Sequence, residues 1–202
     1  MEQVFALAGV IDPRFRALVL VATFGSLRWG ELAALRRKHV DLDARTVRVV
    51  ASTTELKDGS VTIGPPKSMA GLRTVTLPAT VNAELRAHLD RYTGPDEEAF
   101  VFVGAKGTML RRPTFSRTWR KALTNAGLSG FHFHDLRHTG NKFASQSGAT
   151  LRELMNRMGH STTRAASIYL HAEGERDRVI ADGMGKLVVE AVPSEDHDAS
   201  GT

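Results

Sequence analysis

The sequence predicts a mainly helical α+β fold in which a small three-stranded antiparallel sheet sits among the helices. Three observations predict it. Apolar residues recur at helical spacing along most of the 202 residues, three short β-like runs cluster between residues 46 and 77, and a hydrophobic content of 42% is enough for one core.

The elements follow in order. Asp12-Pro13 reads as an N-cap with proline at the first helical position, and Phe15, Leu18, Val19 and Ala22 then recur on one face up to Gly25. After the turn Gly25-Ser26-Leu27-Arg28, residues Trp29, Leu32 and Leu35 give a short helix that ends in the basic cluster Arg36-Arg37-Lys38-His39. Thr46 to Val50, Val61 to Ile63 and Arg73 to Leu77 are β-like, separated by Lys57-Asp58-Gly59 and Gly64-Pro65-Pro66. Val81, Leu85, His88, Leu89 and Tyr92 mark a helix, and Phe100 to Val103 an extended segment. Phe115, Trp119, Leu123 and Ala126 mark another helix, stopped by Gly127, and the His134 segment is expected to be helical from about Asp135. Thr150 and Glu153 form a capping box ahead of Leu151, Leu154, Met155 and Met158, with Gly159 as the stop. Tyr169 falls on a further helix with Ala165, Ala166, Ile168 and Leu170, and residues 176 to 189 hold a last amphipathic stretch.

Residues 190 to 202 contain Glu190, Glu195, Asp196 and Asp198 and no Lys or Arg, so they are expected to form a disordered acidic tail. Residues 1 to 189 then make one domain carrying 27 basic against 18 acidic groups, a net +9. A basic body with a sequence pI near 9.9 favours a polyanionic partner, most simply nucleic acid, which the family resemblance given below makes double-stranded DNA. Cysteine is absent, which excludes a disulfide framework and thiolate metal sites, and no apolar run reaches the roughly 20 residues of a membrane span. These features point to a soluble cytoplasmic protein.

The chemistry lies in one ordered set: Arg28, Lys67, His134, Arg137, His160 and Tyr169. A tyrosine that attacks a phosphodiester has a pKa of about 10 and must lose its proton, while the phosphoryl group must be neutralised as it becomes pentacoordinate. Guanidinium forks suit the second task, since they bind two phosphate oxygens and stay charged. The leaving 5′ oxygen needs a proton, which a lysine or histidine can supply. His134 and Arg137 are three apart and share a helix face, and His160 follows a glycine that is expected to leave its imidazole at an exposed corner between helices. No cofactor is required by this set.

At these residues the chain resembles the catalytic domain of the tyrosine recombinase, or phage integrase, family. The matching pieces are Leu27-Arg28-Trp29-Gly30-Glu31-Leu32, Pro66-Lys67-Ser68 with Arg73-Thr74-Val75-Thr76-Leu77, and His134-Asp135-Leu136-Arg137-His138-Thr139. Leu154 to Ser161 and Tyr169-Leu170-His171 complete them, all in order between residues 25 and 171. The resemblance implies that Arg28 and Arg137 clamp the scissile phosphate, Lys67 protonates the leaving oxygen, His134 assists proton transfer and His160 hydrogen-bonds a phosphate oxygen. Tyr169 would form a 3′-phosphotyrosyl intermediate, Glu31 would orient or buffer Arg28, and neither ATP nor metal would be needed. Self-association is expected on DNA, as a tetrameric synapse of the full-length protein, with a monomer in isolation. Residues 176 to 189 would be either the closing helix or a segment exchanged with a neighbouring protomer. Full-length members carry an N-terminal helical domain that grips the other face of DNA, so this chain is expected to be a C-terminal piece or a short member.

The chain departs from the family pattern at Gly25-Ser26, where Thr-Gly is usual, and at Gly140-Asn141, where a Phe-Ala type pair is usual. Other readings stand beside these roles. Arg28 and Glu31 could form a plain surface ion pair, Lys57 or Lys106 could take the place of Lys67, and His132, His134 and His138 invite a metal reading that their spacing serves poorly. Arg111, Arg112, Arg117, Arg120 and Lys121 are either a solvated face or a helix lying along DNA. A type IB topoisomerase and a catalytically silent DNA-binding relative are the competing functions.

Overall fold

The computed structural model describes residues 1–56, 58–104, 107–160 and Met184. Tyr169 and the helix expected around it, residues 176–189 other than Met184, residues 190–202, Lys57 and Lys106 lie outside the described residues. The chain divides into the units Met1–Tyr169 and Leu170–Thr202, and the first holds every element below.

Seven helices are described: α1 Glu2–Val10, α2 Pro13–Phe24, α3 Trp29–Ala34, α4 Ala79–Tyr92, α5 Arg112–Asn125, α6 Phe133–Gln146 and α7 Leu151–Met158. The mainly helical α+β expectation is borne out, and α1 was not anticipated. Helix α2 is the centre of the core, with Ala17 to Thr23 buried all round. The run Ala-Leu-Val-Leu-Val-Ala explains this, since a helix apolar on every side can only be covered on every side. Helices α1, α4 and α6 pack against it. Its start is capped as expected, Asp12 Oδ1 accepting the Arg14 N–H at 2.9 Å.

The sheet differs from the expectation in its membership. Strands β1 Val40–Asp41, β2 Thr46–Val49 and β5 Arg73–Thr76 form the three-stranded antiparallel sheet in the order β1-β2-β5. Residues 61–63 belong instead to a separate antiparallel ribbon of β3 Ser52–Glu55 and β4 Val61–Gly64. Pairing Val47 with Val75 puts both valines, with Val49, on the buried face and Thr46 and Arg48 on the other. In the ribbon no residue is fully buried, so burial does not draw it into the main sheet. It packs against α3 through β3.

The two departures noted in the sequence meet in space. Ser26 takes a left-handed backbone with φ of 52°, and a Cβ on Gly140 would overlap the Thr23 carbonyl and crowd Ser26 Oγ. Glycine at 140 is therefore what lets α6 close onto the end of α2.

Candidate functional site

Aromatic packing brings the first two site residues together. Trp29, immediately after Arg28, meets Phe133, immediately before His134, edge to face with centroids 5.3 Å apart. Phe115 and Trp119 of α5 pack on the same Phe133 ring at 5.3 and 5.4 Å. The starts of α3 and α6 are thus pinned to one cluster, which holds Arg28 and His134 on its edge. Leu27, 1% exposed, anchors the turn ahead of Arg28 in the core.

Arg28 is the N-cap residue of α3. Its backbone N–H donates to Glu31 Oε2 at 2.8 Å and its Nη1 to Glu31 Oε1 at 3.0 Å. The ion pair weighed from sequence therefore exists, but its members differ: the Arg28 side chain is 39% exposed and that of Glu31 only 2%. The buried carboxylate is met from the other side by Arg73, whose Nη1 and Nη2 donate to its two oxygens at 3.0 and 2.8 Å. Burial pushes the Glu31 carboxyl up, yet the Arg73 fork, followed by Arg28, holds it below its ordinary value.

Lys67 lies in the connection from β4 to β5, after Pro65-Pro66, and is exposed. His134 sits in the first turn of α6, which begins two residues earlier than the expected Asp135 because His132 acts as N-cap, its N–H donating to Asp135 Oδ2 at 2.6 Å. Arg28, Lys67 and His134 line one cavity of about 590 Å³, with Arg111, Arg112 and Gly159 on its walls.

Arg137, one turn along from His134, is 3% exposed. Its Nη1 donates to the Ser26 carbonyl, and its Nη2 to the Met158 carbonyl and, at 3.2 Å, to His160 Nε2. The last carbonyls of α7 thus face two guanidiniums, since Arg73 Nε also donates to the Arg157 carbonyl at 2.8 Å, which suits the negative end of a helix. Helix α7 is capped as expected by Thr150 and Glu153, and Gly159 ends it in the left-handed conformation at φ of 61°. That turn sets His160 beside Arg137.

An arginine N–H only donates, so His160 Nε2 accepts and the ring proton belongs on Nδ1, which is buried and has no partner among the described residues. Burial first, then the charges of Arg137, Arg28 and Arg73, lower the His160 pKa from 6.5 to about 4. Burial, then His138, Arg137 and Arg28, lower His134 as well. Both rings are neutral at pH 7. The linkage has a definite sign: the unfolded imidazole takes a proton near 6.5 and the folded one only near 4, so stability is whole above about 6.5 and falls as pH drops toward 4. The thermal midpoint is expected to decline through that window, with a shallower decline for His160→Asn. An unchanged slope in the variant would assign the proton uptake to other groups.

Arg73 is the site residue that sequence reasoning passed over. A signal was present, for Arg73 alternates with Val75 and Leu77 and so lies on the inward face of β5. Of the three histidines in the metal reading, His132 is 83% exposed in its side chain, while His134 and His138 meet edge to face at 4.8 Å; among the described residues no group of three or more His, Cys, Asp or Glu is placed to hold an ion. Along α5, Phe115, Trp119 and Ala122 face the core while Arg112, Arg117, Arg120 and Lys121 are exposed.

Known proteins resemble this chain in sequence and in fold. The profile of the phage integrase family matches residues 2–176. The chain is 39% identical over 178 residues to a prophage phiRv2 integrase of Mycobacterium tuberculosis, covering 87% of this chain and 47% of that protein. It is 35% identical over 191 residues to the integrase of Mycobacterium phage L5, covering 92% of this chain and 51% of that protein. It spans about half the length of the curated relatives it matches. Among solved structures, the Tn1549 transposon integrase in complex with circular intermediate DNA aligns with a TM-score of 0.76 at 19% identity, over 91% of this chain and 65% of that one. XerA recombinase aligns with a TM-score of 0.67 at 22% identity, over 91% and 61%. These two likenesses concern the fold.

Proposed function

The chain belongs to the phage integrase family, and on that premise we propose that it carries the chemistry of a site-specific DNA recombinase. It breaks and rejoins strands of duplex DNA through a 3′-phosphotyrosyl intermediate on Tyr169. The observation that carries this reading is the convergence of Arg28, Lys67 and His134 on one cavity, with buried Arg137 hydrogen-bonded to His160, the residue after cavity-lining Gly159.

In the proposed step the Tyr169 phenol oxygen attacks phosphorus, its proton passes toward neutral His134, and the bond from phosphorus to the 5′ oxygen breaks. Lys67 gives the leaving oxygen its proton. Arg28 and Arg137 offset the charge gathering on the non-bridging oxygens, where fixed cations in a partly dry site act most strongly. For His160 the assigned role is a hydrogen bond to a phosphate oxygen through Nε2, which requires the tautomer opposite to the one its contact with Arg137 selects. The phosphotyrosine ester conserves the bond energy, so a 5′ hydroxyl of another strand reverses the step without ATP. The chain acts in the cytoplasm, is a monomer alone and assembles on DNA within the full-length protein, with residues 176 to 189 as the exchanged segment. Residues 1–189 are assigned to the catalytic domain.

The test is a duplex nicked beside the scissile phosphate, so that the cleaved fragment diffuses away and the covalent adduct accumulates on a denaturing gel. Adduct is expected, and it is expected to persist in EDTA because the charge is managed by guanidiniums. Activity lost in EDTA and restored by magnesium or manganese would instead identify a metal-dependent nuclease.

A further inference from the structure

Glu31 receives four N–H groups: the backbone and Nη1 of Arg28 on the cavity side, and Nη1 and Nη2 of Arg73 on the buried side. Arg73 is 6% exposed in its side chain and is held from several directions at once. Its Nε donates to the Arg157 carbonyl at 2.8 Å, Nη1 also to Gly71 at 3.2 Å and Nη2 also to Ser26 at 3.4 Å. Arg28 and Glu31 line the cavity and Arg73 does not, so Arg73 meets the carboxylate from behind.

We propose that Arg73 is a positioning residue for Arg28, neutralising Glu31 from the buried side so that the charge of Arg28 remains available to the scissile phosphate. The proposal rests on the recombinase reading above. One carboxylate between two guanidiniums leaves a net positive charge on the pair, and the exposed member is the one at the cavity. Without Arg73, a carboxylate 2% exposed would have Arg28 as its one remaining hydrogen-bonded cation. Burial makes that pairing hard to relinquish, since releasing Arg28 to a phosphate would leave Glu31 charged and uncompensated. Arg28 would be spent on Glu31. The low Glu31 pKa agrees with a carboxylate that stays ionised and depends on Arg73.

The test is a double-mutant cycle of Arg73→Met and Glu31→Gln in the 202-residue chain, read by single-turnover adduct formation on the nicked duplex and by duplex affinity from fluorescence anisotropy. Arg73→Met is expected to slow adduct formation at saturating DNA by about tenfold or more, and adding Glu31→Gln is expected to recover most of that loss, a coupling within the range for groups in direct contact. Affinity should follow the same order. A double variant no faster and no tighter than Arg73→Met would overturn the proposal, because a residue that merely tied down the carbonyls of Arg157, Gly71 and Ser26 would not be rescued by removing a carboxylate. If Arg73→Met does not fold, Arg73→Lys and Arg73→Gln decide the matter: the lysine variant, which keeps the charge, should be clearly the more active and the tighter binder, and equal behaviour of the two would overturn the proposal. A wild-type chain that binds duplex yet forms no adduct would remove the recombinase reading, and the affinity pattern alone would then decide the role of Arg73.

Discussion

Replacing Tyr169 with phenylalanine is expected to abolish covalent attachment to the nicked duplex while leaving affinity for DNA nearly unchanged. The substitution deletes one oxygen, the atom that would bond to phosphorus, and keeps the ring. Every other group in the proposed machinery stays in place, so the loss should be complete rather than graded. Binding is expected to persist because it rests on charge, and none of the basic groups of residues 1–189, net +9, is touched. The measurement is a denaturing gel for adduct beside an anisotropy titration for binding. Adduct from the phenylalanine variant would move the nucleophile elsewhere in the chain.

The second large effect is expected at Arg137. Arg137→Ala should lower the cleavage rate by about a hundredfold to a thousandfold, the scale of removing one preorganised stabiliser of transition-state charge. It should also destabilise the fold. The guanidinium donates to the Ser26 and Met158 carbonyls and to His160, joining the turn before Arg28 to the end of α7, and each buried acceptor left unpaired costs about 1–3 kcal/mol. Arg137→Lys keeps the charge but cannot fork between the two carbonyls, so it should recover part of the rate and little of the stability. Denaturant unfolding and single-turnover cleavage separate the two losses. Near-normal cleavage in the alanine variant would mean that the phosphate is held by other groups.

These two residues differ in how they became visible. Tyr169 is known through its sequence context alone, since it lies outside the described residues. Arg137 was marked by its place three residues after His134, yet its burial and its partners at Ser26 and Met158, 111 and 21 positions away, follow from no local pattern. The same division runs through the fold. The cap at Asp12, the capping box of Thr150 with Glu153 and the glycine stop at 159 were legible because each is satisfied within a turn of helix. The partner of residues 61–64 was not. A short run with little burial carries no label for its neighbour, and it pairs with 52–55 rather than with the strands of the main sheet.

By itself the sequence determined the fold class, most helix boundaries and the residue types proposed for the chemistry, because those depend on periodicity, capping and spacing within a few residues. Only the tertiary structure decided how the charges are shared. It set Arg73 against Glu31 across 42 positions and folded Gly140 onto the end of α2. It also drew the carbonyls of Ser26, Arg157 and Met158 around two buried guanidiniums. The reason is physical. A buried charge takes its partner from whichever surfaces close over it, and those surfaces come from segments that sequence spacing does not relate.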